Sequence, residues 1–373
     1  MTTHKYMPES RRSPRHWDDF RKVLNRLKSA CLHWSKRTGL FGLLRDSKWR
    51  QQRLLILCYH SISLEDEHQW RPALSMPAQV LEQRLQMLHE GGYNVLPLGE
   101  GLQRLFAKHL PPRAVAITFD DGHHSFYRQA YPLLKKFGFP ATVYQTTYYT
   151  DYPRPVFNLI CSYMLWKRRE KGIIDGRCLG IIEPLNLTTE ATRQAIVEKL
   201  VNKSAEENLT GAQKDRLAAQ VAELLDIDYE KLVSSRILQL MNPAEVTELA
   251  QSGIDFQLHT HRHITPRDQR LFQKEIRENR ERLTEYTGLP AVHFCYPSGV
   301  YYKEYLDWLP NENVKSATTG NAGLATIESH PLLLPRFIDT TGKTEIEFES
   351  WLTGIGELLS RCKGMIRWGR RFW

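Results

Sequence analysis

Residues 114–122 read AVAITFDDG, a short apolar run that ends in two adjacent carboxylates and a glycine. An apolar run bounded by a glycine turn is typical of a strand in the core of a fold. Neighbouring carboxylates at the end of such a strand repel each other unless a cation or a shared proton relieves them. The stretch therefore predicts a core strand that delivers Asp120 and Asp121 to a metal site.

A second stretch, GIDFQLHTHRH at residues 253–263, also reads as a strand that ends in metal-binding residue types. Neutral imidazole is the commonest nitrogen ligand of zinc, and three protein ligands with one water leave a metal open for catalysis. Asp121, His259 and His263 would supply such a set, whereas His261 is expected to face elsewhere. Taken alone, the first stretch could be an ordinary turn, and the second could carry a surface pair of histidines. Taken together, the carboxylates of the first and the imidazoles of the second supply the ligands that one metal site needs.

The two stretches resemble the polysaccharide deacetylases of carbohydrate esterase family 4, which share the NodB homology domain. The resemblance rests on TFDDG at residues 118–122 and H-T-x-x-H at residues 259–263, and it extends to LCYHSI at 57–62 and FCYPSG at 294–299. It covers about residues 54–340 and leaves both ends of the chain outside. It implies a distorted barrel fold and a metal-dependent hydrolase that removes acetyl groups from polysaccharides.

The resemblance also implies roles for single residues. It makes Asp120 the base that takes a proton from the attacking water, and it places a backbone N–H near Tyr296 beside the tetrahedral oxyanion. Asp121, His259 and His263 would hold the metal, which we expect to be zinc or another divalent ion. Zinc lowers the pKa of bound water to about 7 and polarises an acyl oxygen.

Two residues of the family pattern are missing from this chain. No Leu-x-His follows the tyrosine–proline loop, where many members carry the acid that protonates the leaving amine, and no arginine precedes that proline at the expected spacing. His60, at the end of a predicted strand, is the preferred substitute for the acid, and His330 is the alternative. Arg336 is a candidate to orient Asp120, although an ordinary rim residue would have the same spacing.

The body of the chain alternates strand and helix patterns, as a parallel α/β fold does. The alternation predicts an α/β fold, and the resemblance implies that it is a distorted (β/α) barrel of about seven strands, a number that matches the strands predicted here. The carboxyl ends of parallel strands meet at one rim of a barrel, so the candidate ligands should share that rim. The predicted strands are residues 54–59, 94–98, 114–119, 141–145, the strand before His259, 292–296, 314–318 and 332–338.

Residues of about 151–240 interrupt the alternation with helical apolar spacing and predict a helical insertion. It leaves one strand end and returns before the strand of His259, so it should lie over or beside the rim. A lid over the substrate and a scaffold for self-association are equally compatible with the pattern. The predicted domains are thus a basic amphipathic segment at 1–53, a deacetylase barrel at 54–340 and a C-terminal helix with a basic-aromatic tail at 341–373.

The net charge of +9 is concentrated at the two ends of the chain. Residues 1–53 contain 14 Lys and Arg against 4 Asp and Glu, and the last 13 residues contain five basic residues and no acidic one. Both ends interleave basic with aromatic and aliphatic residues, a pattern that would suit an anionic membrane surface. Solvated tails or packing on the domain are equally compatible. The basic residues form no recognisable nucleic-acid module, so no nucleic-acid partner is expected.

Cysteine spacing and apolar patterning bear on the compartment. The six cysteines form no C-x-x-C pair, and no apolar stretch approaches the roughly 18 residues that cross a bilayer. The first 30 residues lack the apolar core of a secretory signal. We therefore expect a cytoplasmic protein, and its basic ends leave a peripheral location on the inner membrane face as one option.

These features together predict metal-dependent N-deacetylation of an N-acetylated sugar in a polysaccharide or a lipid-linked oligosaccharide. An O-acetyl esterase or a small-amide hydrolase would need the same metal and base and is the alternative on the same fold. A glycan-binding protein with little turnover is the non-enzymatic alternative, because the expected acid is missing.

Overall fold

The computed structural model describes residues 15–360, with side chains from residue 26 onward. A parallel sheet forms the centre of the molecule, and two short pairs of strands lie outside it. The strands are β1 Leu55–Tyr59, β2 Ser61–Ile62, β3 Ser75–Met76, β4 Asn94–Val95, β5 Ala114–Phe119, β6 Thr142–Gln145, β7 Ile173–Ile174, β8 Leu185–Asn186, β9 Asp255–Leu258, β10 His293–Cys295, β11 Ser316–Thr318 and β12 Phe337–Ile338.

The central sheet runs in the order β11-β10-β9-β6-β5-β1-β12, and β4 adds a further strand beside β5. All of its paired strands are parallel. The two edges meet through the segment that leads into β12, because Leu334 forms a parallel bridge with Thr318 of β11 while Phe337 pairs with Leu57 of β1. The sheet therefore curls into an uneven barrel, and the predicted distorted (β/α) barrel is confirmed.

Helices surround the barrel and form the insertion. They are α1 Arg15–Arg37, α2 Leu40–Arg45, α3 Lys48–Gln51, α4 Glu67–Trp70, α5 Ala78–Glu90, α6 Leu98–Phe106, α7 Tyr131–Phe137, α8 Tyr148–Asp151, α9 Phe157–Lys167, α10 Glu190–Glu206, α11 Gly211–Leu224, α12 Tyr229–Ser234, α13 Pro243–Gln251, α14 Gln269–Thr287, α15 Tyr305–Asn311 and α16 Glu345–Thr353. A π-helical turn at Phe126–Ala130 continues directly into α7.

Alternating side chains divide the buried residues of the barrel into two layers, as the period of two in a strand requires. In β5, Val115 and Ile117 belong to the large core between the sheet and the helices, whereas Ala114 and Ala116 belong to a smaller core inside the barrel. Continuing this alternation by two strand positions past Thr118 points Asp120 into the barrel. The local sequence thus decides where the first carboxylate lies.

The insertion has its own apolar core, which is separate from both cores of the barrel. Helices α9, α10, α11 and α12 supply most of that core, with Ile160, Leu200 and Val221 among its buried side chains. The structure has these helices in the region of the predicted insertion, with two differences from the predicted pattern. The last helix ends at Ser234 rather than near residue 240, and a short antiparallel pair, β7 with β8, interrupts the helices.

The N-terminal helices pack against the barrel. Arg50 of α3 is fully buried and donates hydrogen bonds to the carbonyl oxygens of Leu352 (2.9 Å) and Ala114 (3.2 Å), the latter at the start of β5. Leu32 of α1 is buried in a cluster with residues of α2 and α16. Part of the basic segment thus packs on the domain. Among residues 15–360, no helix combines the length and the apolar character needed to cross a bilayer.

Candidate active site and metal centre

The turn after β5 separates the two aspartates. Asp121 and Gly122 both have positive φ, at 70° and 80°, so the chain leaves the strand sharply after Asp120. A left-handed conformation favours glycine, and a Cβ at position 122 would also collide with the side chain of Gln145. Asp120 therefore stays inside the barrel while Asp121 is turned towards the rim.

Asp121 meets two histidines that follow β9. Its Oδ1 lies 3.2 Å from Nε2 of His259 and 3.2 Å from Nε2 of His263. The three potential ligand atoms all lie within 4.8 Å of one another. Thr260 and His263 also have positive φ, at 64° and 58°, and non-glycine residues rarely adopt this conformation. The strained loop brings together the three residues that the sequence predicts as metal ligands.

The hydrogen bonds of His259 fit a metal ligand. Its Nδ1 lies 2.8 Å from the carbonyl oxygen of Cys295, which can only accept, so Nδ1 carries the proton and Nε2 presents a lone pair. Its backbone N–H donates to Oδ1 of Asn279 (2.9 Å), and Asn279 in turn donates to the carbonyl oxygen of Gln145 (2.9 Å). The ring is thus held through Nδ1 and the backbone through Asn279. The donor set of one carboxylate and two imidazoles suits zinc or a similar divalent ion.

The charges at this cluster favour an ionised carboxylate. Burial alone would raise the pKa of Asp121, but its close contacts with the imidazoles of His123, His259 and His263 lower it well below its usual value. For His263, burial opposes protonation while the bond to Asp121 favours it, and the net effect raises the pKa of the ring. Asp121 is therefore in the deprotonated form that a metal requires.

Asp120 forms a separate buried pair with Arg336. Oδ1 accepts from Nη1 and Oδ2 accepts from Nη2, each at 2.7 Å, in a bidentate arrangement. Two thiols flank the same carboxylate, Cys58 at 3.5 Å and Cys295 at 3.4 Å from Oδ2. Burial alone would raise the pKa of Asp120, but the guanidinium lowers it well below its usual value. Arg336, which directly precedes β12, therefore lies beside Asp120 and fixes the direction of both carboxylate oxygens.

The two candidates for the acid lie at opposite ends of the barrel. His60 follows β1 at the rim, with Nε2 3.8 Å from Oδ2 of Asp120, and burial lowers the pKa of its ring. His330 is exposed and follows the segment in which Ala325 pairs with Leu54, at the start of β1. His330 is therefore remote from the carboxylates, and the structure contradicts its candidacy.

Tyr296 lies beside the site, but its polar groups are already bonded. Its hydroxyl donates to the carbonyl oxygen of Leu332 (3.0 Å), and its backbone N–H donates to the carbonyl oxygen of Thr318 (3.2 Å). That N–H would have to leave Thr318 before it could bind an oxyanion. The expected oxyanion donor at Tyr296 is thus not free in this structure.

Sequence reasoning missed the contribution of His123. This ring is buried, and its Nε2 lies 3.2 Å from Oδ2 of Asp121. His124 is buried as well and contacts Glu245 at 3.1 Å instead. Both residues directly follow the glycine turn, and the sequence is equally compatible with solvated loop residues and with substrate contacts. A run of two histidines beside a predicted ligand was the only available signal. His261 faces away, as expected, with Nδ1 2.9 Å from the Thr147 hydroxyl.

A family model described as "Polysaccharide deacetylase" matches residues 107–166 and 210–315. The chain belongs to the polysaccharide deacetylase family. The match includes both aspartates, both proposed histidine ligands and Tyr296, and its gap falls inside the helical insertion. His60 and Arg336 lie outside the matched segments, so their roles rest on the geometry described above.

Two relatives share short segments with this chain. A 93-residue segment, 25% of this chain, is 39% identical to YxkH of Bacillus subtilis (strain 168) and covers 31% of that protein. A 101-residue segment, 27% of this chain, is 31% identical to the poly-beta-1,6-N-acetyl-D-glucosamine N-deacetylase of Escherichia coli (strain K12) and covers 15% of it. The matches thus span less than a third of each relative's length.

A solved structure shares the fold over most of its length. The deacetylase PplD of Streptococcus pyogenes, solved in complex with acetate, superposes with a TM-score of 0.54 at 20% identity. The superposition covers 81% of this chain and 98% of that one. At this level of identity the likeness establishes the barrel fold and leaves substrate and activity open.

Proposed function

We propose that this chain is a metal-dependent N-deacetylase that acts on an N-acetylated sugar in a polysaccharide or a lipid-linked oligosaccharide. The observation that carries the proposal is the pairing of two sites at one rim. Asp121, His259 and His263 converge within 4.8 Å, and the neighbouring Asp120 is held by Arg336. The name of the Escherichia coli relative, an N-deacetylase of poly-beta-1,6-N-acetyl-D-glucosamine, supports an N-acetylated glycan as the substrate class.

A divalent ion held by the Asp121 cluster would acidify a water and polarise the acetyl oxygen. Asp120 would accept the proton of the attacking water, while Arg336 holds both of its oxygens in a fixed direction. His60 would then deliver a proton to the departing amine, because its Nε2 is 3.8 Å from Oδ2 of Asp120. Once substrate binding brings these two atoms to hydrogen-bond distance, the proton taken by Asp120 would pass to the ring, so His60 need not start in its charged form.

Acetate release from a panel of N-acetylated oligosaccharides, with and without a chelator, tests the proposal. We expect release from at least one glucosamine-type oligomer and its loss when the metal is removed. Release only from O-acetylated sugars would favour an esterase. Bound metal without acetate release from any substrate would favour a glycan-binding protein, and release that survives metal removal would contradict metal dependence.

The partner that we propose for the basic N-terminal segment is an anionic membrane surface. On α1, Leu27 and Trp34 are 61% and 66% exposed. They lie two turns apart and therefore on the same face of the helix. The opposite face is occupied, since Leu32 is buried and Lys36 pairs with Glu349 (2.6 Å). An exposed apolar stripe on a helix whose segment has a net charge of +10 matches a surface-bound amphipathic helix.

This placement has a consequence for the substrate. Because α1 packs along α16, docking through its exposed face would hold the barrel beside the bilayer. A lipid-linked glycan would then lie close to the barrel. The cytoplasmic location stays a prediction. The N-terminal residues 1–14 and the basic-aromatic tail at 361–373 lie outside the described residues.

We expect the double substitution Leu27→Ser and Trp34→Ser to remove most binding to anionic vesicles, because it removes the apolar stripe and leaves the fold contacts of α1 in place. Binding by the natural chain should weaken with salt, since the Debye length falls from about 10 Å at 0.1 M to about 3 Å at 1 M. Co-sedimentation with vesicles of anionic and of neutral lipid measures both effects.

The matched control replaces two leucines of similar exposure elsewhere on the surface. Leu271 and Leu289 are each 55% exposed and lie near the two ends of α14. Their substitution by serine should leave vesicle binding unchanged. Equal co-sedimentation of the α1 variant and the natural chain would reject membrane docking through this face.

A further inference from the structure

We propose that His123 is a positioning residue that holds Asp121 so that only one of its oxygens faces the metal. The inference rests on the proposed metal-dependent function and assigns a role to a residue outside the three-ligand set. It also links the helical insertion to the site. The contacts of Asp121, the burial of the His123 ring and the backbone around it each contribute to the argument.

The two oxygens of Asp121 have different partners. Oδ1 lies 3.2 Å from Nε2 of both His259 and His263, whereas Oδ2 lies 3.2 Å from Nε2 of His123. A carboxylate whose second oxygen accepts a hydrogen bond is held to one-oxygen coordination through the first. Such partners beyond the ligands orient the ligand and are worth about 10–100-fold in metal affinity.

The position of the proton on His123 follows from its burial. The ring is 2% exposed, and its Nδ1 has no hydrogen-bond partner among residues 26–360. A buried N–H without an acceptor costs more than a buried lone pair that stays unused, so the proton of the neutral ring belongs on Nε2. Nε2 therefore donates to Oδ2 of Asp121.

The same geometry argues against His123 as a fourth ligand. The described cluster of ligand atoms within 4.8 Å of one another contains Asp121, His259 and His263 and leaves out His123. A nitrogen that carries a proton directed at a carboxylate oxygen also has no lone pair for a metal. His123 thus acts through Asp121.

The returning end of the insertion fixes the backbone of His123. Leu240 forms an antiparallel bridge with His123, and the backbone N–H of Met241 donates to the carbonyl oxygen of Gly122 (2.9 Å). The N–H of His124 donates to the carbonyl oxygen of Gln239 (2.9 Å). The insertion therefore clamps the turn that presents Asp121, whatever further role its helices have.

Zinc affinity measured by competition with a chelator tests the proposal on four proteins: the natural chain, His123→Phe, His123→Gln and His124→Gln. The phenyl ring keeps the planar shape and removes the donor, so we expect affinity to fall about 10–100-fold. Glutamine keeps an N–H donor and should retain most of the affinity. His124→Gln is the matched control, since His124 is adjacent and contacts Glu245 instead of Asp121.

Replacing the metal with cobalt adds a second measurement, the visible absorption spectrum. A purely structural role of His123 would not change this spectrum. Release of Oδ2 lets Asp121 bind through both oxygens, so the visible absorption of the cobalt form should lose intensity in His123→Phe as the coordination number rises, and it should be kept in His123→Gln. If His123→Phe fails to fold, His123→Leu carries the same comparison.

The possible outcomes distinguish failure of this inference from failure of the proposed function. Natural affinity and spectrum in His123→Phe would overturn it, and so would a loss in His123→Gln as large as in His123→Phe. If the natural chain itself binds no stoichiometric metal, the proposed function fails instead. A loss confined to the variants without a donor is the expected result.

Discussion

Asp120→Asn is expected to lower the rate of acetate release by about 100-fold to 10,000-fold, the usual loss when a general base is removed. The amide has the shape of the carboxylate but cannot take the proton of the attacking water. The metal should stay bound, because the cluster of Asp121, His259 and His263 does not include Asp120. Steady-state kinetics and elemental analysis on the same preparation measure both effects.

The substitution also leaves Arg336 buried without its carboxylate. Removing one partner of a buried pair commonly costs about 3–5 kcal/mol of the free energy of unfolding, so the thermal midpoint should fall. Activity must therefore be measured well below that midpoint. Asp255→Asn is the control for loss of a carboxylate, since Asp255 begins β9 at the other end of the barrel and accepts from Thr142 (2.9 Å). Near-natural turnover in Asp120→Asn would assign the base elsewhere.

The positions of the main site residues follow from short-range sequence features. The apolar alternation of β5 directs Asp120 inward, and the turn at Gly122 separates it from Asp121. The pattern of strands and helices places the end of β9 at the same rim, because parallel strands share their carboxyl ends. These features depend on local geometry and on the rule that parallel strands share their carboxyl ends. Both can be applied to a single sequence.

Other features of the site depend on contacts that no local pattern encodes. Arg336 reaches Asp120 across 216 positions of sequence, and its spacing alone is that of any rim residue. His330 precedes a predicted strand, but only the closure of the barrel shows that it lies at the end opposite to the carboxylates. The burial of His123 depends on the return of the insertion at Leu240, whose path the sequence leaves open.

The double variant His259→Ala and His263→Ala is expected to lose its bound metal and, with it, essentially all acetate release. It leaves Asp121 as the single member of the three-ligand set, and one carboxylate alone binds a divalent ion far more weakly than a carboxylate with two imidazoles. Added zinc should not restore activity, because the missing groups are the ligands themselves. Elemental analysis after dialysis should show one metal per natural chain and little in the variant.

His261→Ala provides the matched control on the same loop. Its ring lies between the two proposed ligands in sequence but turns away, with Nδ1 bonded to the Thr147 hydroxyl (2.9 Å). Loss of this imidazole should leave the metal content near that of the natural chain. Because all three rings come from one five-residue loop, the comparison separates loss of ligands from damage to the loop. Full metal occupancy in the double variant would show that the ion lies elsewhere. In that case the convergence of Asp121, His259 and His263 would reflect hydrogen bonding between a carboxylate and its imidazoles.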